Sequence, residues 1–278
     1  MKVKEIDILC TSHDRSSEVM ILMQSLRTQT FQNWNLYILD NGYGTPLQSF
    51  HFIQTMINRL QLEGHKVKII RNDLDFGVCY ARNLLNKIQI EEGTGDYCLR
   101  LDDDVIPQTD YIEKLIQVIE AGYDIASGII PLLATPELKR EIRFLNGEIN
   151  KVRLNEKGEI SEFGDDCGFS YIEEEIIPAG HFRSAALYPS KINSEIKYED
   201  NLSNYGFREE SFFSLRCRMA GYTIGVHTGA KILHIATPSG GGRQSVTQES
   251  IQQDDEIFQK WLKKKYLDGE ITQDGKKR

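Results

Sequence analysis

The stretch YCLRLDDDVIP, Tyr97 to Pro107, runs an apolar segment that reads as a buried strand into three consecutive carboxylates, Asp102, Asp103 and Asp104. Pro107 closes the segment, and a helix follows from about Asp110, with Ile112, Leu115, Ile116 and Ile119 on one face and Gly122 at its end. If the strand continues through the triplet, alternate side chains share a face, so Asp102 and Asp104 point together and Asp103 points away. Two adjacent carboxylates repel unless a cation lies between them, and a hard divalent ion with oxygen ligands suits the pair. A solvated acidic turn is the plainer alternative.

Working outward, the first half alternates strands and helices. Strands are expected at 5–11, 34–40, 66–70, 96–102 and 123–130. Helices are expected at 16–29 with a serine cap, near 46–61, and at 77–88. This pattern implies right-handed βαβ crossovers and an α/β fold with a mostly parallel central sheet, helices on both faces. Ligands of such sheets bind beyond the carboxyl ends of the strands. Three of those ends carry aspartate: TSHDR (11–15), LDNG (39–42) and LDDD (101–104).

Residues 134–178 change character. FLNGEINKVRLNEKGEISEFG alternates apolar and polar residues around two glycine-containing turns, which predicts a β-hairpin excursion from the sheet. The chain then returns through HFRSAALYPS, a helix near 209–220 and the strand-like KILHIA, before TPSGGGR (237–243) and a C-terminal helix DDEIFQKWLKKKYL. The five cysteines are scattered and form no C-x-x-C pair, which argues against zinc or a disulfide framework and for a reducing compartment. A net charge of -8 argues against nucleic acid as a partner. The N-terminus reads as a strand, not a leader peptide, and no run of about 18 apolar residues occurs, so a cytoplasmic location is expected. The basic face of the last helix allows peripheral membrane contact, although a solvated helix is the simpler reading.

Further residues bear on chemistry. FGVCYARN places Gly77, Arg82 and Asn83 where a loop enters a helix, a setting in which backbone N–H groups and an arginine meet an anion. Glu209 and Glu210 open a helix whose dipole favours negative charge with or without a function. His234 ends an apolar strand just before the glycine-rich loop. Gly240, Gly241 and Gly242 would let that loop act as a lid that brings Arg243 onto a diphosphate.

Taken in order, TSHDR, LDNG, DFGVCYARN, YCLRLDDDVIP, FREESFFSLRCRMAGY and KILH resemble glycosyltransferase family 2, the inverting enzymes with the GT-A fold. The likeness runs over roughly 4–236 and is weakest in the excursion. It implies one GT-A domain over 1–236, with a nucleotide-sugar half to about 130 and an acceptor half beyond, followed by the loop and helix of 237–278. It also implies a nucleotide-diphospho-sugar donor, expected to be a UDP-sugar, and a carbohydrate or other hydroxyl-bearing acceptor.

The residue roles implied by the resemblance are specific. Asp40 resembles the aspartate that reads the nucleotide base, with Thr11 and Asp14 lining its pocket. Arg82 matches an arginine near the donor, and Gly77 and Asp103 join the donor-binding set. Asp102 and Asp104 resemble the D-x-D pair that contacts ribose and holds Mn²⁺ or Mg²⁺ on the diphosphate, and His234 a late histidine that completes the metal site. Glu210 falls at the general base, although the family's ED pair is EE here, so Glu209 competes for the role. The Q-x-x-R-W segment of processive synthases is missing, which favours transfer of a single sugar. A metal-dependent nucleotidyltransferase and a non-catalytic sugar-nucleotide or carbohydrate-binding protein are the rival readings.

Overall fold

The computed structural model describes residues 3–72, 77–237 and 246–278. The parallel core is built from β1 (Ile6–Ser12), β2 (Trp34–Asp40), β3 (Val67–Arg71) and β4 (Tyr97–Asp102). β1 and β2 are buried along almost their whole length, as strands covered on both faces must be. Helices α1 (Ser16–Arg27), α2 (His51–Leu62) and α3 (Gly77–Glu92) make the crossovers. β5 (Val105–Pro107), α4 (Tyr111–Glu120) and β6 (Ile125–Ile129) follow.

The excursion contains β7 (Lys139–Arg140), β8 (Val152–Leu154), β9 (Ile160–Phe163), β10 (Ser170–Tyr171) and β11 (Ile176–Pro178). β12 (Ala186–Pro189), a single-turn α5 (Ile192–Glu195), α6 (Glu209–Ala220), β13 (Ile224–His234) and α7 (Gln248–Leu267) complete the chain. The main sheet runs β11-β13-β6-β12-β4-β1-β2-β3, with β5 paired to β13. β12 enters antiparallel between β4 and β6, so the sheet is mixed at its centre and parallel toward β3. α1, α2 and α4 bury their apolar stripes on one face, and α3, α5 and α6 on the other. Among the described residues no helix is long and apolar enough to cross a membrane. All five cysteines are buried and unpaired.

Three local expectations change. Only one of the two glycine turns closes a hairpin: β8 and β9 pair antiparallel around Gly158. Asn146 and Gly147 both take left-handed backbone angles (φ 48° and 78°) and end a 3-10 turn instead, while β7 pairs with the distant β10. Ser16 does not cap α1. The cap position is Arg15, whose guanidinium has no acceptor to offer the helix N–H groups and instead pairs with the Asp triplet. The strand also stops at Asp102, so Asp102, Asp103 and Asp104 do not alternate between two faces.

Register decides where the charges stand. Thr11 lies opposite Asp102 and Ser12 opposite Asp40, so three carboxyl ends finish at one level. β13 breaks register between Val226 and Lys231, and the bulge re-aims it from β6 toward β5. That bend sets His234 opposite Val105, beside the triplet.

Candidate active site

A cleft of about 750 Å³ opens above these strand ends. Thr11, Gly77, Arg82, all three aspartates of the triplet, Glu209, Glu210 and His234 line it.

Two buried charge clusters form its floor. In the first, Arg82 Nη2 donates to Asp102 Oδ1 at 2.9 Å and lies 3.1 Å from Glu209 Oε1. Arg100 Nη2 meets Glu209 Oε1 at 3.0 Å, Glu210 Oε1 at 3.3 Å and Asp102 Oδ1 at 3.4 Å. Both guanidinium groups also lie over the Tyr198 ring. Burial pushes the Glu209 carboxyl well above the usual range, Arg100 draws it back, and the charges of Glu210 and Asp102 push it up again.

In the second cluster, Arg15 Nη1 sits 2.9 Å from Asp103 Oδ1 and 3.0 Å from Asp104 Oδ2. Ser12 Oγ donates to Asp103 Oδ2 at 2.8 Å, and Arg15 Nη2 donates to the Thr237 carbonyl. Burial raises Asp103 to about 6, opposed by Arg15 and assisted by Asp104. His234 Nε2 stands 3.3 Å from Asp104 Oδ1. Asp102 therefore faces Arg82 and Arg100, whereas Asp104 lies between Arg15 and His234.

The two glutamates differ in kind. Glu209 is 5% exposed and tied to both arginines. A quarter of the Glu210 side chain is exposed, and its Oε1 accepts from the Ser184 N–H at 2.9 Å. Ser184 holds a left-handed conformation (φ 39°) to present that N–H.

Two expected donor residues stand behind the cleft wall. Asp40 Oδ2 accepts from Leu47 N–H at 2.8 Å and its Oδ1 pairs with Arg71, so this carboxylate shapes the 41–47 loop. Asp14 takes φ 56° and accepts from the N–H groups of Gly44 and Tyr43. A Cβ at Gly42 would lie 2.1 Å from Asp14 Oδ1, so the loop needs glycine there. Asn41, Tyr43 and His13 are the members of this region that reach the cleft. Arg243 and the Gly240–Gly242 lid lie outside the described residues.

The sequence model of glycosyl transferase family 2 matches residues 7–176, more than half of the chain. The chain belongs to glycosyl transferase family 2. A curated Haemophilus influenzae protein named as an uncharacterized glycosyltransferase is 30% identical over 123 residues. That match spans 43% of this chain and 36% of the relative. Crystal structures share the GT-A fold of this transferase at low identity. S. aureus TarS 1–349 matches 82% of this chain and 59% of its own (TM-score 0.55, 10% identity). GalNAc-T7, crystallised with UDP, GalNAc and Mn²⁺, matches 92% of this chain and 48% of its own (TM-score 0.65, 12% identity).

Several residues of the transferase site escape sequence reasoning: Arg15, Arg100, Ser12 and Ser184. Arg100 did leave a signal, being a charge inside an apolar strand two residues before Asp102 and hence on its face. Gly77 is required by geometry, since it takes φ 80° and a Cβ there would lie 2.6 Å from Asn204 Cα. Gly77→Ala is expected to cost at least ~1–3 kcal/mol through backbone strain and to disturb Arg82, further along the same helix. Thermal melting checks this, and an unchanged melt would refute it.

Proposed function

We propose that this transferase moves a single sugar from a UDP-sugar to an acceptor hydroxyl by one displacement, with inversion, and that Glu210 is the general base. The observation that carries the reading is the contrast between the acids of the cleft floor. Asp102, Asp103, Asp104 and Glu209 are each held by arginine at 3.1 Å or less, whereas Glu210 meets Arg100 only at 3.3 Å and keeps an open edge. One carboxylate suffices to take the acceptor proton as the hydroxyl attacks the anomeric carbon. The Ser184 N–H and Arg100 orient that carboxylate, and Arg82, which lines the same cleft, is the arginine assigned here to the donor.

Asp104 and His234 are the residues that fit a divalent metal. Asp104 is 2% exposed, and its Oδ2 makes no hydrogen bond although Arg15 lies near it. His234 stands beside the other oxygen, Oδ1, and a buried carboxylate next to an imidazole suits Mn²⁺ or Mg²⁺, which commonly take their remaining ligands from phosphate and water. Among the described residues no three His, Cys, Asp or Glu side chains cluster as a complete metal cage. When bound there, the ion would neutralise charge growing on the departing diphosphate. The presence of UDP and Mn²⁺ in the GalNAc-T7 crystal supports the choice of donor and metal.

The test is incubation with a panel of nucleotide sugars and Mn²⁺, followed by detection of the released nucleotide. Nucleoside diphosphate supports transfer, with or without slow hydrolysis; pyrophosphate would support the nucleotidyl alternative. EDTA should abolish release and Mn²⁺ restore it, and Asp104→Asn should weaken UDP binding only when Mn²⁺ is present. Full activity in metal-stripped enzyme would overturn the metal assignment.

A further inference from the structure

The C-terminal helix α7 carries an acid on its buried stripe. Asp254, Phe258 and Leu262 recur every four residues and are all essentially inaccessible to solvent. Phe258 and Leu262 pack with Phe212 and Leu215 of α6 and with Val152 and Leu154 of the hairpin. Apolar residues alone would dock such a helix, and burying a carboxylate is costly unless it is fully hydrogen-bonded. Asp254 is so bonded. Its Oδ1 accepts from Ser203 N–H at 2.7 Å, and its Oδ2 from Ser203 Oγ at 2.7 Å and Phe207 N–H at 2.8 Å. The next residue, Asp255, pairs with Arg208 Nε at 2.8 Å.

The segment gripped in this way runs directly into the two glutamates. Residues 204–208 line the cleft. The Asn204 carbonyl accepts from Val78 N–H at the start of α3, and the Gly206 carbonyl accepts from Glu209 N–H at the start of α6. Gly206 and Arg208 both hold left-handed angles (φ 68° and 71°), and for Arg208 that conformation is strained. The loop closes a turn of its own, with Gly206 N–H donating to the Ser203 carbonyl at 2.9 Å. The two acids of α7 hold that turn in place from outside.

We propose that α7 is a working part of the transferase and that Asp254 is a positioning residue, which holds the 203–207 loop so that Glu210 meets the acceptor hydroxyl in register with the donor. The role assigned to Glu210 is the one proposed above; the role of Asp254 is tested separately from it.

The experiment uses the full chain and compares Asp254→Asn and Asp255→Ala with wild type. It reads amide hydrogen exchange over 203–210, UDP affinity with Mn²⁺, diphosphate release from a UDP-sugar, and melting temperature. Asp254→Asn should speed exchange at Ser203 and Phe207 by roughly tenfold or more, the scale of a lost hydrogen bond to a charged group, while β1 and β4 stay protected. It should lower kcat by a similar factor and leave UDP affinity within about twofold of wild type. Asp255→Ala, at a pair about a quarter exposed on each side, should give smaller changes in the same direction and keeps the test alive if Asp254→Asn misfolds. Unchanged exchange and kcat in a variant that only melts earlier would reduce Asp254 to an ordinary docking contact and overturn the proposal. If Glu210→Gln retains full turnover while Asp254→Asn behaves as expected, the base assignment fails and the positioning role stands.

Discussion

Glu210→Gln should slow sugar transfer by roughly 10²–10⁴-fold, the usual scale for a lost general base, with UDP affinity and melting temperature nearly unchanged. Glutamine keeps the size and the acceptor oxygen that Ser184 N–H and Arg100 hold, but it cannot take a proton. Proton transfer is expected late, because the hydroxyl becomes acidic only as it attacks. Glu209→Gln should separate from it in kind: it disturbs two buried arginines, so its first effect is on stability. Side-by-side melting and single-turnover rates check the pair. Wild-type turnover in Glu210→Gln would place the base elsewhere.

Arg100→Ala should be among the most damaging substitutions to stability. The side chain is 4% exposed and its Nη2 faces three carboxylates, with Tyr198 against its plane. Its loss leaves Glu209 buried with Arg82 as its remaining cation. Breaking a buried pair in this way costs about 3–5 kcal/mol, or roughly 6–20 °C in melting temperature for a chain near this size. The combination Arg100→Met with Glu209→Met should recover much of that stability, because removing both charges avoids the orphaned one. A single mutant melting within a degree of wild type would show that Arg82 and solvent already compensate.

The alternation of apolar strands and amphipathic helices was legible because each follows a local period, and the level at which β1, β2 and β4 end follows from it. What the sequence hid depends on chain returning from afar. Asp40 shows itself as a strand-end carboxylate, but that it serves Leu47 N–H and Arg71 depends on how the 41–47 loop folds back and on the register of β3. The expected alternation of the triplet failed because β4 ends at Asp102, and Arg15, 88 positions away in the chain, then collects Asp103 and Asp104. Asn146-Gly147 carries the composition of a hairpin turn without two strands to join. Glu209 and Glu210 are adjacent, chemically alike and both in the cleft lining, and only the packing of Arg82 and Arg100 shows which one is tied down by two arginines and which keeps an open edge.

The antiparallel β12 has a consequence for how the chain is made. It supplies the central rung between β4 and β6, with Ala186 opposite Arg100 and Leu187 opposite Ala126. A nascent chain that has released β6 therefore carries two unpaired inner edges until about 57 further residues have been synthesised. At ~5–20 residues per second that is an interval of roughly 3–11 s. During it, Arg100 has β1 on one side but neither β12 on the other nor Glu209, and the exposed edges of β4 and β6 are templates for any other extended segment. Fragments ending between Ile129 and Ala186 should accordingly be held by chaperones or aggregate, whereas a chain that has passed Pro189 can join β4 to β6 and needs only β13 to complete the sheet.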